Sequence, residues 1–422
     1  MNNATCGSAR YNGHSPYQRP LGAERRFLRM PNANVVMAAR IKGHNGSKAL
    51  ISQRMLTSAL SQVRRKHPLL GARIALDENA AGCFTQEGVP DIPVDVVPRT
   101  SDDDWTRTVV EELRYRFSPQ TGPLIHVVLL QAPQVADLVI NAHHSICDTR
   151  SLVYVIRDIL TYLGNPDRAI VPQPVTPVPI QDNLPTSASG GILSRLFISL
   201  INRKWARKDI AFDEDDYRDL HRSFWDKHSP RLCHWTLSAP QVSALVSRCR
   251  VENVTVNSAL YTAFLAAHHE IHGPSYDYGD TILVPVDFRE RLTQPVGEAV
   301  GFYASAVKLT IDYVLGQPFW NTARTIHGKV KQQLTDKQIF ASQRVNALAP
   351  SLLDALVFAK HGKLDDKMAR KLLERTGLDK RMTDILVSNA GRLAMPVVYG
   401  DLTLEALMPS AVYSDTAESV LE

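Results

Sequence analysis

Residues 141–149 read Asn-Ala-His-His-Ser-Ile-Cys-Asp-Thr, with the apolar run Leu138-Val139-Ile140 ahead of them and a segment of helical periodicity, 151–163, behind. The pattern predicts a strand that stops at two histidines and turns into a helix. Catalytic groups are commonly held where a rigid strand ends in a loop, so chemistry is expected here. Adjacent strand residues point to opposite faces, which makes one histidine functional and the other structural. An ordinary imidazole titrates near about pH 6.5, so it can take a proton from a hydroxyl or amine and return it later. Asp148 falls four residues past His144, at the helix start. There its carboxylate can cap the helix or pair with a distant cation.

Two other readings of the pair compete with catalysis. A metal site would need a third protein ligand at useful spacing, and neither that nor an HExxH pattern is present. A packed core turn would hold two histidines equally well. Periodicity alone does not separate that turn from a catalytic site.

At 422 residues the chain exceeds one ordinary core and predicts two or three domains. Its 44% hydrophobic and 22% charged residues fit a globular protein. The net charge of +5 is modest, and no Lys/Arg cluster is interleaved with aromatics, which argues against nucleic acid. The five cysteines, Cys6, Cys83, Cys147, Cys233 and Cys249, are odd in number and form no CxxC pair. They point to a reducing, cytoplasmic setting. Residues 1–20 are polar and read as a loose leader, with no secretory signal, and no apolar run is long enough to cross a bilayer.

The stretch 141–149 resembles the HHxxxDG signature of the acyltransferase superfamily that includes nonribosomal peptide synthetase condensation domains, chloramphenicol acetyltransferase and the polyketide-associated acyltransferases. His143, His144 and Asp148 match it, and Thr149 stands where the family has glycine. The resemblance implies that His144 is the catalytic base, that His143 is structural, and that Asp148 is an organiser held by an arginine from elsewhere. Glycine tolerates backbone angles that a β-branched residue resists, so Thr149 bears on the turn geometry.

Three further stretches carry the likeness. Residues 59–70, with Arg64-Arg65-Lys66-His67-Pro68-Leu69-Leu70, resemble the family's helix-HPxL-strand opening, the three cations reading as a solvated helix end. Pro285-Val286-Asp287-Phe288-Arg289 resembles its PVDLR-type strand, whose arginine is the partner of the signature aspartate, so that role passes to Arg289. Ile385-Leu386-Val387-Ser388-Asn389-Ala390-Gly391 resembles its SNxG strand end beside the substrate channel, which makes Ser388 and Asn389 substrate-binding candidates.

The remaining elements follow from pattern. Residues 34–41 read as a strand; Leu56, Leu60 and Val63 mark a helix that ends before Pro68; 69–74 and 123–130 read as strands, the second joined to the signature strand by a turn at 131–134. His126 is expected to be packed. Six prolines between 164 and 191 forbid a regular helix or central strand and divide the chain. The expected organisation is a lobe at 21–165, a linker at 166–191 and a lobe at 192–422. In the second lobe, 192–208 form an amphipathic basic helix with Leu193, Phe197, Ile201 and Trp205 on one stripe, packed on the lobe or lying on a membrane or lipid. Residues 232–237 open the lobe proper. Helices follow at 240–250, capped by Ser238, and at 257–271, where His268-His269 sits mid-helix with no matching aspartate. Strands are expected at 282–289 and 301–307. By the resemblance, the chain is expected to reach Glu422 short of the closing strand and helix that many members of the family have.

The resemblance implies an α/β fold of two chloramphenicol-acetyltransferase-like lobes, each a mixed sheet flanked by helices, with an active-site tunnel between them. It implies an acyltransferase moving an acyl group from a phosphopantetheine or coenzyme A thioester to an acceptor hydroxyl, or amine, without a covalent enzyme intermediate. No permanently bound cofactor and no metal are expected. The donor would come from an acyl carrier protein or coenzyme A, and the chain would be a monomer forming an ester. The alternatives are an amide-forming condensation enzyme of peptide synthesis and a catalytically silent binding domain of the same fold.

Overall fold

Asn34–Gly43 carries Val35, Val36, Met37, Ala38, Ala39 and Ile41 without the alternation of a half-wet strand, so both of its faces need cover. In the computed structural model, which describes residues 18–46, 48–166, 180–188, 192–273, 280–379 and 383–421, this strand lies inside a mixed sheet. The first half of the chain forms β1 (Gln18–Pro20), β2 (Asn34–Gly43), α1 (Gln53–Lys66), β3 (Arg73–Leu76), β4 (Gly82–Thr85), β5 (Val94–Pro98), α2 (Asp104–Leu113), β6 (Ile125–Gln131), β7 (Val135–His143) and α3 (Thr149–Gly164). The second forms α4 (Ile192–Trp205), α5 (Glu214–Trp225), α6 (Ala239–Val251), α7 (Val256–His272), β8 (Thr281–Asp287), β9 (Ala304–Thr310), α8 (Phe319–Gln333), α9 (Asp336–Ile339), α10 (Pro350–Lys360) and α11 (Lys367–Thr376). It closes with β10 (Thr383–Val387), β11 (Val398–Tyr399), β12 (Leu402–Leu407), β13 (Ala411–Val412) and β14 (Ala417–Leu421).

The large sheet runs β11-β12-β2-β7-β6-β5, with β13 also paired to β2. β2 and β7 are antiparallel, in a register that sets Asn34 opposite His143, while β5 joins β6 in parallel. Both faces are covered. Leu56, Leu60 and Val63 of α1 and Leu152, Ile156 and Ile159 of α3 pack with Met37, Leu138 and Ile140 on one. Trp105, Val109 and Leu113 of α2 pack with Val36, Ala38 and Val139 on the other. Each fully buried side chain of this kind contributes about 1.5–3 kcal/mol.

A second mixed sheet, β14-β10-β8-β9, has its own core, in which Ile282, Val284 and Ile385 meet Tyr261 and Leu265 of α7 and Ile326 of α8. The third sheet, β1-β4-β3, is small. β11, β12 and β13 come from late in the chain yet complete the large sheet. Gly164, at the end of α3, makes room for this return: a Cβ there would collide with the Tyr399 backbone, and one at Gly400 with the Gly164 carbonyl. Gly400 also adopts a φ of 57°.

Several expectations are corrected in detail. Residues 69–74 do not form one strand: Pro68–Gly71 is a 3-10 turn, started by the fixed φ of proline, and β3 begins at Arg73. Residues 232–237 run without regular secondary structure. The strand expected from Gly301 starts at Ala304, because the backbone N–H groups of Gly301 and Tyr303 are diverted to Ser151 and Asp148. α4 ends at Trp205, three residues short of the expected 208, and the described part of its stripe is split. Trp205 is buried with its Nε1 donating to Ser351, whereas Leu196, Phe197 and Leu200 are exposed. Cys83 is disulfide-bonded, against the expectation of reduced thiols; such a bond needs close approach that sequence spacing does not reveal. Of the leader expected at 1–20, residues 18–20 form β1, paired with β4, and 1–17 lie outside the described residues; of the linker expected at 166–191, 167–179 and 189–191 lie outside them. No helix among the described residues is long and apolar enough to cross a membrane.

Candidate active site

β7 ends at His143, and the turn that follows is pinned on both sides. The His143 backbone N–H donates to the Leu124 carbonyl at 2.9 Å and that of His144 to the Ala33 carbonyl at 2.7 Å. Asp148 then caps α3, its carboxylate accepting from the Ser151 N–H at 2.8 Å. Thr149 opens the helix itself. It is absent from the residues of positive φ, so the position asks for nothing that a β-branched residue lacks, and its hydroxyl lies 2.8 Å from that of Ser410.

The two imidazoles have different surroundings. His143 is buried, with Nδ1 2.8 Å from the Ser145 hydroxyl and Nε2 unpartnered. Burial, reinforced by the neighbouring His144, pushes its pKa down to about 3, so it is neutral. His144 is half-buried, and its Nδ1 lies 2.8 Å from the Cys147 carbonyl oxygen. A carbonyl only accepts, so Nδ1 carries the proton and Nε2 presents a lone pair. Phe27 stacks on the ring at 4.7 Å, and Phe302 meets it edge-on at 5.0 Å. Burial lowers the His144 pKa; the Cys147 contact and Asp148 oppose that, and the Arg26 guanidinium adds to it. The imidazole is therefore a neutral base at neutral pH.

Asp148 does not touch that ring. It is buried and meets Arg289 at 2.9 Å, while its other oxygen accepts from the Tyr303 N–H at 2.9 Å. Burial works against the charge, but the guanidinium and the backbone donors hold the carboxyl below the ordinary range. Arg289 also reaches the Ser151 hydroxyl at 2.9 Å and Asp287 at 3.1 Å, and lies over the Tyr303 ring. The group thus ties the start of α3 to the connection that joins β8 to β9.

Ser388 and Asn389 follow β10 and line a cavity of about 300 Å³ with Met37, Thr149, Leu260 and Ser410, between the two larger sheets. They are brought to the foot of α3, beside the signature. His126 is packed as expected, between Glu112 at 2.9 Å and Asp95 at 3.2 Å. Among the described residues no group of three or more His, Cys, Asp or Glu side chains is arranged to hold a metal. Sequence reasoning missed Arg26, Phe27 and Phe302, which surround His144. The one available signal was an aromatic and a cation adjacent to each other just ahead of β2.

No family model matches the chain. Nonribosomal peptide synthetase 5 of Gibberella zeae is 30% identical over 128 residues, which is 29% of this chain and 1% of that protein. The TRI3 trichothecene 15-O-acetyltransferase from Fusarium sporotrichioides superposes with a TM-score of 0.56 at 16% identity, covering 94% of this chain and 86% of that one. The first condensation domain of the calcium-dependent antibiotic synthetase, solved with a substrate analogue, gives 0.55 at 14% identity over 94% of this chain and 84% of that one. At these identities the likeness is one of fold. This chain has the mixed α/β fold that condensation domains share with chloramphenicol-acetyltransferase-like enzymes.

Proposed function

We propose that the chain is an acyltransferase that moves an acyl group from a coenzyme A or phosphopantetheine thioester to an acceptor hydroxyl. One observation carries the reading: the Cys147 carbonyl fixes His144 as the tautomer whose Nε2 accepts a proton. In the step that follows, Nε2 takes the proton of the acceptor O–H as its oxygen bonds to the thioester carbonyl carbon. The C–S bond then breaks, and the imidazolium returns the proton to the leaving thiolate. The thioester is already activated, so alignment and deprotonation are what the protein has to supply. Asp148 and Arg289, occupied with each other, hold the turn. Ser388 and Asn389 are proposed to contact substrate in the cavity that they share with Thr149.

The donor is a substrate in this reading, and no resident cofactor takes part. A carrier protein or coenzyme A would present it. The fold relatives include a 15-O-acetyltransferase, which favours an ester product; condensation domains favour an amide. Acyl transfer from acetyl-coenzyme A and from an acyl carrier protein to alcohols and amines tests both. Activity in the wild type that His144→Ala loses supports the enzyme, and the productive acceptor class chooses between ester and amide. A folded wild type that transfers nothing to any acceptor sinks the proposal in favour of a silent domain.

A further inference from the structure

The short helix Ala23–Phe27 and its flanks carry several arginines, and most of them are matched to carboxylates. Arg19 meets Glu24 at 2.8 Å, Arg25 meets Asp354 at 2.7 Å, and Arg29 lies 3.5 Å from Glu214. Arg26 is different. Its guanidinium carbon lies 4.8 Å from the centre of the Phe27 ring and 4.9 Å from that of Phe302, and no carboxylate or other hydrogen-bond acceptor engages it among the described residues. Those two rings are 4.8 Å apart and are the same two that hold the His144 imidazole. The cation and the base therefore share one aromatic seat.

Stacking accounts for only part of what a guanidinium can do. Aromatic faces attract the cation through their quadrupole but accept none of its five N–H donors in the plane. Those donors form a rigid fork that fits a carboxylate or phosphate oxygen pair. Arg26 is half-buried, where a cation is costly, and burial lowers its pKa to about 10 against the opposing charge of Glu24. The fold supplies carboxylates to its neighbours, and the Arg26 charge is felt at His144 while no acceptor among the described residues engages its fork.

We propose that Arg26 is a specificity residue that receives an anionic oxygen group, a carboxylate or its equivalent, on the substrate bound beside His144. This rests on the reading of His144 as the reaction centre. The charge can belong to the acyl donor or to the acceptor, and the two are separable by experiment.

In the donor arm, the full chain is titrated with the succinyl and butyryl thioesters of N-acetylcysteamine; in the acceptor arm, with lactate and propane-1,2-diol. Dissociation constants come from ligand-observed NMR, with no turnover required. The expected result is a preference of about 10- to 100-fold for the anionic member of one pair, the scale of a charge-assisted hydrogen bond. It should be lost in Arg26→Met and largely kept in Arg26→Lys, with melting curves verifying that both fold. No preference in either arm overturns the proposal in the wild type alone, whatever the variants do; so does a preference that survives Arg26→Met. A wild type that shows the preference yet transfers no acyl group keeps the anion site and removes the transferase reading.

Discussion

The chain contains two adjacent histidine pairs, His143-His144 at the end of β7 and His268-His269 inside α7, and their rings meet different partners. On the helix, His268 is buried with its ring 4.6 Å from that of His272, and His269 Nε2 lies 2.7 Å from Asp280. Helix carbonyls within α7 already accept from the i to i+4 ladder. At the strand end the Cys147 carbonyl lies ahead of α3, outside that ladder, and takes the His144 Nδ1–H. At the strand end a backbone carbonyl sets the His144 tautomer, whereas on the helix an acidic side chain and a neighbouring ring engage the pair.

The largest effect that would sharpen the contrast is on turnover. His144→Ala should lower it about 10²- to 10⁴-fold, the usual range for removing a general base, while His269→Ala leaves it within about twofold; equal losses in the two folded variants would dissolve the distinction. Next comes the support of each pair. Removing one partner of a buried ion pair costs roughly 3–5 kcal/mol, so Asp148→Asn and Arg289→Ala should each shift the denaturation midpoint strongly. Their double mutant should be less damaged than the sum. The partly exposed His269 and Asp280 should give less than about 1 kcal/mol on the same measurement.

The smaller effects are in pH. Because the His144 pKa is lowered, kcat/KM should stay high as pH falls through about 6.5 and decline only below it. An acid limb above the ordinary imidazole value would contradict the neutral, desolvated base. His143 gives a separate, stability-linked signature. It titrates near 3 in the fold and near 6.5 when unfolded, so the unfolded chain binds the extra proton between those values. Stability from this group is complete above about pH 6.5 and is lost as pH falls toward 3. His143→Gln should flatten that acid slope in melting curves, and an unchanged slope would assign it to other groups.

Much of the site was legible because its pieces are local or carry motifs. The strand, turn and helix around 141–149 follow from apolar periodicity and a capping aspartate, and Arg289 came from a strand that resembles a known one. In the structure Arg289 lies 2.9 Å from Asp148. Phe27, Phe302 and Arg26 were not legible, since they converge on His144 from distant segments and none is unusual in its own neighbourhood. β12 and β13 escaped for a similar reason: a short late segment does not announce that its hydrogen-bonding partner is Asn34–Gly43.

That late return constrains how the protein is made. β2 emerges from the ribosome early, and β7 can zip to one side of it soon afterwards. Its other edge, next to Met37 and Ile41, must wait for β12 and β13. At about 5–20 residues per second the wait is on the order of tens of seconds. For that interval the nascent chain presents an open, apolar strand edge, the kind of surface that templates association with other chains. Slowing translation late in the message should therefore lower soluble yield more than the same delay placed before β2, and a holdase chaperone should rescue it.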